Sequence, residues 1–230
     1  AAAAGEPMLR APVVTAEIGA NALQPRVAAY FHDIGKMLKP RYFAENQGGT
    51  NPHDELTPRM SALVIASHVK DGIELGREWG LPESVLAFIP EHHGTSVMQY
   101  FYRKALESES DRTVLVDDFC YPGPRPRSKE TAILMLADGC EASVRSLRRP
   151  TMSRVREMVR LCRRSPAYRG QPILFNEDDH FDFDRADNHF VAALSEHAGW
   201  GYFDYRMEGE DHHAGYQSVP VDWSTSSERK

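Results

Sequence analysis

Through residue 162 the apolar positions recur at helical spacing, and prolines, glycines and capping residues cut the pattern into successive amphipathic segments. From Pro25, which suits a first helical turn, Val27, Ala28, Tyr30, Phe31 and Ile34 form a largely apolar stripe. It predicts a helix ending near Leu38 or Lys39, ahead of Pro40. A loop rich in Gly, Asn and Pro is expected from Arg41 to Leu56. Thr57-Pro58 then reads as a cap with proline at the first helical position, and Met60, Leu63, Val64, Val69, Ile73 and Leu75 carry the period toward Gly80. Pro82 opens a helix with Val85, Leu86 and Ile89. Thr95 or Ser96 caps another with Val97, Tyr100, Phe101 and Leu106. Ser110 to Arg127 is polar and proline-rich and reads as loop. Ser128 caps a long helix through Ile133, Leu134, Leu136, Cys140, Val144 and Leu147, ended by Arg148, Arg149 and Pro150, and Thr151 starts a last helix to about Cys162.

The prediction is an all-α bundle over residues 24–162, preceded by a low-information segment at 1–23. Beyond Arg163 the pattern changes. Phe175, Asp179, Phe181, Asp182, Phe183 and Asp184 alternate aromatic and acid, which predicts a C-terminal extension, 163–230, of short strands and loops, α+β or irregular. Asp178, Asp179, His180, Asp182 and Asp184 are an ion-binding candidate, but alternating acids on an exposed strand face are the commoner arrangement.

Composition narrows the function classes. The 230 residues are 41% hydrophobic with a net charge of -6, and the sequence has no uninterrupted apolar run of about 18 residues, so no membrane span is expected. The acidic balance argues against a duplex nucleic-acid partner, which needs a positive face. Cys120, Cys140 and Cys162 are widely spaced and form no CxxC, a usage that suits a reducing cytoplasm. Any metal chemistry must then come from imidazole and carboxylate.

Such groups are present on the predicted helices: His32-Asp33, His68, His92-His93 and Asp138. Most lie among apolar neighbours, where an unpaired carboxylate is costly. His and Asp are the ligands expected for Mn, Fe, Zn and similar divalent ions, and a bundle interior is where facing helices assemble such sites. Taken singly, each residue is more commonly a satisfied core or surface group; it is six of them together that point to metal.

The segments AYFHDIGKM, ENQGGTNPHDELTP, SALVIASHVKDG, EHHGTSVMQYFYRKA, YPGPRPRSKE and MLADGCEA together resemble the HD domain of the membrane-tethered cyclic di-AMP phosphodiesterases, the PgpH-type seven-transmembrane HD family, from about Ile18 to Thr151. HD alone would name a superfamily; NPHD, SHVKDG, HHGTS and YPGP narrow it. The resemblance implies hydrolysis of cyclic di-AMP to the linear dinucleotide pApA with one or two divalent ions, Mn or Fe. It also implies that Asp33 bridges two metals, with His32 and Asp138 on one and His68, His92 and His93 on the other, acidifying a water that attacks phosphorus. Lys36, one turn beyond His32, reads as a phosphate contact or as a solvated helix end. The resemblance makes His53 and Asp54 a wall of the substrate pocket. Tyr100, Tyr102, Arg103, Tyr121 and Arg125 offer aromatic faces and positive charge to a base and a phosphate, though aromatics at helical spacing are more often core. Members of the family are tethered by helices preceding this domain, which makes the chain an excised cytosolic domain or a soluble relative.

One ligand departs from the family pattern. A further His is expected at the start of a helix before Ile18, on the metal shared with His32. That position counts back to near Ala3, and no His precedes His32. The expectation is impaired or mononuclear metal binding, with the Asp33, His68, His92 and His93 set complete. The competing readings are an HD hydrolase acting on another nucleotide, such as a guanosine alarmone or a deoxynucleoside triphosphate, and a catalytically impaired nucleotide-binding module.

Overall fold

The computed structural model describes residues 20–47, 49–108, 114–147 and 151–164. Residues 1–19, with the position near Ala3, and residues 165–230, with the alternating acids, lie outside them.

The described part is helical: α1 (Leu23–Phe31), α2 (Pro58–Glu78), α3 (Glu83–Leu86), α4 (Phe88–Glu91), α5 (Gln99–Ser108), α6 (Lys129–Arg145) and α7 (Met152–Arg164), with several short 3-10 turns between them. The expected caps of α2 and α6 are in place, whereas Thr95 and Ser96 lie ahead of α5 without capping it. Thr57 Oγ1 accepts from Met60 N at 3.3 Å to start α2, and Ser128 and Thr131 form a reciprocal capping box at the start of α6. No helix of the described residues is long and apolar enough to cross a membrane.

Two elements differ from the sequence pattern. The first helix does not run to Leu38: α1 stops at Phe31, Asp33 leaves the helical region at φ -106° and ψ 12°, and a separate 3-10 turn covers Ile34–Leu38. The reason is tertiary. Gly35 lies so close to α2 that an added Cβ would stand 2.0 Å from the His68 carbonyl oxygen and 2.5 Å from Gly72 N, an approach that a straight continuation of α1 would not make. Likewise α5 begins at Gln99, because Val97 pairs instead with Cys120 in an isolated antiparallel bridge, and Met98 N donates to Phe119 O at 2.8 Å. The expected Pro82 helix is two short helices, α3 and α4.

The core forms around α6. Ala132, Ile133, Leu134, Met135, Ala137, Cys140 and Val144 pack with Ala28 and Ala29 of α1, Phe88 of α4 and Val155 and Val159 of α7. A second cluster gathers Ala62, Phe101, Ala105 and Phe119 where α2 meets α5, and a third sets Ile34 against Leu86 and Ile89. Burial of this kind contributes roughly 25 cal/mol per Å² of apolar surface and holds α1, α2, α4 and α6 together. Their facing sides carry the polar residues described next.

Candidate metal centre

His32 and Asp33 sit at the break after α1, His68 in mid-α2, His92 and His93 just past α4, and Asp138 in mid-α6. Gly94, in the left-handed region at φ +52°, turns the chain away directly after the two histidines. The packing brings all six side chains together in two groups sharing Asp33. The ligand atoms of Asp33, His68, His92 and His93 lie within 4.8 Å of one another, and so do those of His32, Asp33 and Asp138.

The hydrogen bonds orient the rings. His32, His68 and His92 each donate Nδ1–H to the carbonyl three residues earlier: Ala29 O at 3.1 Å, Ile65 O at 2.6 Å and Ile89 O at 2.7 Å. These contacts place a proton on Nδ1 and turn Nε2 inward, the way an outer hydrogen bond fixes a ligating imidazole. His68 Nε2 and His92 Nε2 then face each other at 3.4 Å, and each stands 3.5 Å from Asp33 Oδ1, which is buried with no hydrogen-bond partner. Lone pairs and a carboxylate oxygen converging on one point repel unless a cation lies among them. The donor set of imidazole and carboxylate fits a divalent metal.

Charge is arranged in the same sense. Burial opposes ionisation of Asp33, but Lys36 Nζ at 2.7 Å and His32 Nε2 at 3.3 Å hold its carboxyl well below the usual range. Burial also opposes charge on Asp138, which His32 and His93 nonetheless hold low. His32 is raised to about 10, because Asp33 and Asp138 outweigh its desolvation. Burial dominates at His68, lowering it to about 4, and at His93, which is well below its ordinary value, so both are neutral imidazoles at pH 7.

Lys36 lies between Asp33 and Glu45, with Glu45 Oε1 at 2.9 Å, and over the Phe43 ring, so it faces the centre and not the solvent. Tyr121 stacks on His93, while Arg125 is exposed and its Nε donates to Thr95 Oγ1 at 3.3 Å. His53 is buried against Tyr42 and Phe101; its Nε2 donates to Tyr42 O at 2.8 Å and its Nδ1 has no partner. Asp54 next to it is exposed. Tyr102 packs on Phe119 in the second core cluster, Tyr100 lies beside Phe101 and Lys104, and Arg103 is half-buried. None of His53, Asp54, Tyr100, Tyr102 and Arg103 belongs to the two groups around Asp33.

The sequence pattern did not single out two acids that shape the site. Glu45 pairs with Lys36, and Glu91, buried immediately before His92, accepts Arg127 N at 2.9 Å. Glu45 lies in the ENQGGTNPHDELTP stretch and Glu91 in EHHGTS, so only their motif membership marked them.

The model of the family described as "HD domain" matches residues 12–143, more than half of the chain. The chain belongs to the HD domain family. Among curated HD domain relatives, it is 47% identical over 144 residues to the cyclic-di-AMP phosphodiesterase PgpH of Listeria monocytogenes serotype 1/2a (strain 10403S), covering 62% of this chain and 20% of that protein. It is 45% identical over 144 residues to PgpH of Bacillus subtilis (strain 168), with the same 62% and 20% coverage. The chain thus spans about a fifth of the length of these relatives. The solved HD domain of L. monocytogenes PgpH is similar at TM-score 0.73 and 36% identity, over 84% of this chain and 90% of that one. The same HD domain in complex with cyclic-di-AMP is similar at TM-score 0.74 and 36% identity, over 84% and 89%.

Proposed function

We propose that this HD domain is a metal-dependent phosphodiesterase that hydrolyses cyclic di-AMP to pApA. The observation that carries the reading is the convergence of His68 Nε2, His92 Nε2 and the unpartnered Asp33 Oδ1, inside a domain similar to one crystallised with cyclic-di-AMP. Residues 24–162 are taken as the catalytic domain.

In this reading Asp33, His68, His92 and His93 would hold one divalent cation, and His32, Asp33 and Asp138 would hold another. Mn or Fe suits a mixed imidazole and carboxylate set. When bound, such ions supply Lewis acidity toward phosphoryl oxygens and acidify water. The chain's own residues do the positioning. Lys36 presents its ammonium to a phosphate oxygen while Asp33 and Glu45 hold it in place, and the backbone carbonyls keep three imidazoles aimed without reorganisation. Arg125, exposed at the rim, supplies a second positive group for the dinucleotide. His53, Asp54, Tyr100, Tyr102 and Arg103 belong to the surrounding wall. Cys120, Cys140 and Cys162, none of them in a disulfide, support a reducing, cytosolic setting.

Because no His stands near Ala3, the His32 and Asp138 site is proposed to bind its ion more weakly than the other. Turnover of cyclic di-AMP, cyclic di-GMP, a guanosine alarmone and a deoxynucleoside triphosphate with Mn2+ tests the substrate. Conversion of cyclic di-AMP to pApA alone, or at least tenfold faster than the rest, is expected. Preference for another nucleotide, or binding without cleavage, would overturn the assignment.

A further inference from the structure

His93 differs from the other histidines of the centre. His32, His68 and His92 are each tied through Nδ1 to a backbone carbonyl, whereas the ring of His93 has no such hydrogen bond among the described residues, and its Nδ1 stands 3.8 Å from Asp138 Oδ2. What holds this ring is aromatic. It stacks on Tyr121, with centroids 4.0 Å apart and an interplanar angle of 21°, and is tilted by 44° against its neighbour His92 at 3.9 Å.

We propose that Tyr121 is a positioning residue for the metal centre: its ring, stacked on His93, does for that imidazole what the carbonyls do for the other three. The segment bearing Tyr121 is built for this. Tyr121 N donates to Ser96 O at 2.9 Å, Arg125 Nε to Thr95 Oγ1 at 3.3 Å, and Arg127 N to Glu91 Oε2 at 2.9 Å, so residues 121–127 are fastened along the same 91–96 stretch that carries His92 and His93. Those fastenings fix the phenol plane relative to the imidazole plane. An imidazole that gives electron density to a cation becomes a better partner for an electron-rich ring, so stacking takes the place of an outer hydrogen bond. The face of Tyr121 turned to His93 is then occupied, so it is not available for stacking a nucleobase.

The inference rests on the metal-centre reading above. The test is a Mn2+ titration of the wild type, Tyr121→Phe and Tyr121→Leu, with thermal unfolding of each metal-free protein and, at saturating Mn2+, KM for cyclic di-AMP. Tyr121→Phe keeps the ring and is expected to bind Mn2+ like the wild type. Tyr121→Leu is expected to bind about three- to tenfold more weakly, the range an aromatic pair accounts for, with unchanged KM once the metal is saturating. Equal Mn2+ affinity in all three proteins, or an effect confined to KM, would overturn the role in favour of a substrate contact. Equal losses in Tyr121→Phe and Tyr121→Leu would also overturn it, because the ring would then not matter. If the wild type itself takes up no Mn2+, it is the metal centre that fails, a result distinct from either.

Discussion

Gly35→Ala is the most informative single change outside the ligands. The new Cβ would stand 2.0 Å from the His68 carbonyl oxygen, 2.5 Å from Gly72 N and 2.8 Å from the His68 carbonyl carbon. All three are backbone atoms of α2, so no side-chain rotation relieves the clash, and the 3-10 turn must move off the helix by about 1.5 Å to restore ordinary contact. Asp33 lies two residues before Gly35, and His68 is the residue struck. The movement therefore pulls Asp33 Oδ1 away from His68 Nε2, now 3.5 Å apart. Overpacking of this sort costs about 1–3 kcal/mol, and a misplacement of about 1 Å in a catalytic group lowers turnover by roughly 100-fold. Urea unfolding, Mn2+ titration and cyclic di-AMP turnover are measured together. Gly80→Ala serves as the control, since its Cβ meets nothing within 4 Å and only the φ of +71° is strained, so it is expected to lose about 1 kcal/mol of stability and no metal affinity. If Gly35→Ala matched the wild type in stability and Mn2+ affinity, the close approach would not be what sets the ligand geometry.

Other predictions follow from charge and capping. In EDTA-treated protein, His32 has a folded pKa of about 10, above its unfolded 6.5, so its contribution is complete below pH 6.5 and lost as pH rises toward 10. His68, lowered to about 4, contributes above pH 6.5 and loses that contribution as pH falls through 4, so metal-free stability is expected to peak near pH 6.5 in a pH series of unfolding curves. A curve still rising from pH 7 to 9 would contradict the His32 environment. Ser128→Ala removes the capping box of α6 and is expected to cost about 1 kcal/mol in urea unfolding, with Mn2+ affinity unchanged because Asp138 lies well inside the helix.

What was legible in the sequence were features with local causes. Thr57-Pro58 and the apolar period of the following residues located α2, and Ser128 with the run to Val144 located α6, because caps and periodicity are written into neighbouring residues. The stop of α1 was not legible. Met37 and Leu38 continue the apolar pattern, yet they are 62% and 56% exposed, because the chain is redirected by the contact of Gly35 with α2, some thirty residues away. The apolar spacing likewise includes Val97 in a helix, whereas its bridge partner Cys120 lies beyond a long connection that leaves no local signal.

In the site, residue types suggested metal and the resemblance suggested how they divide between two ions. The two groups around Asp33 fall into the same division. Stacking of His93 on Tyr121, and the pairing of Lys36 with Glu45, depend on loop geometry that has no period or motif of its own.

The most direct measurement is Mn2+ binding and cyclic di-AMP turnover by the wild type and Asp33→Ala, with the fold of both checked by circular dichroism. Asp33 is the one residue common to both ligand groups. The wild type is expected to bind Mn2+ and release pApA, and the folded Asp33→Ala protein to do neither. Retention of wild-type Mn2+ affinity or turnover by Asp33→Ala would contradict the account.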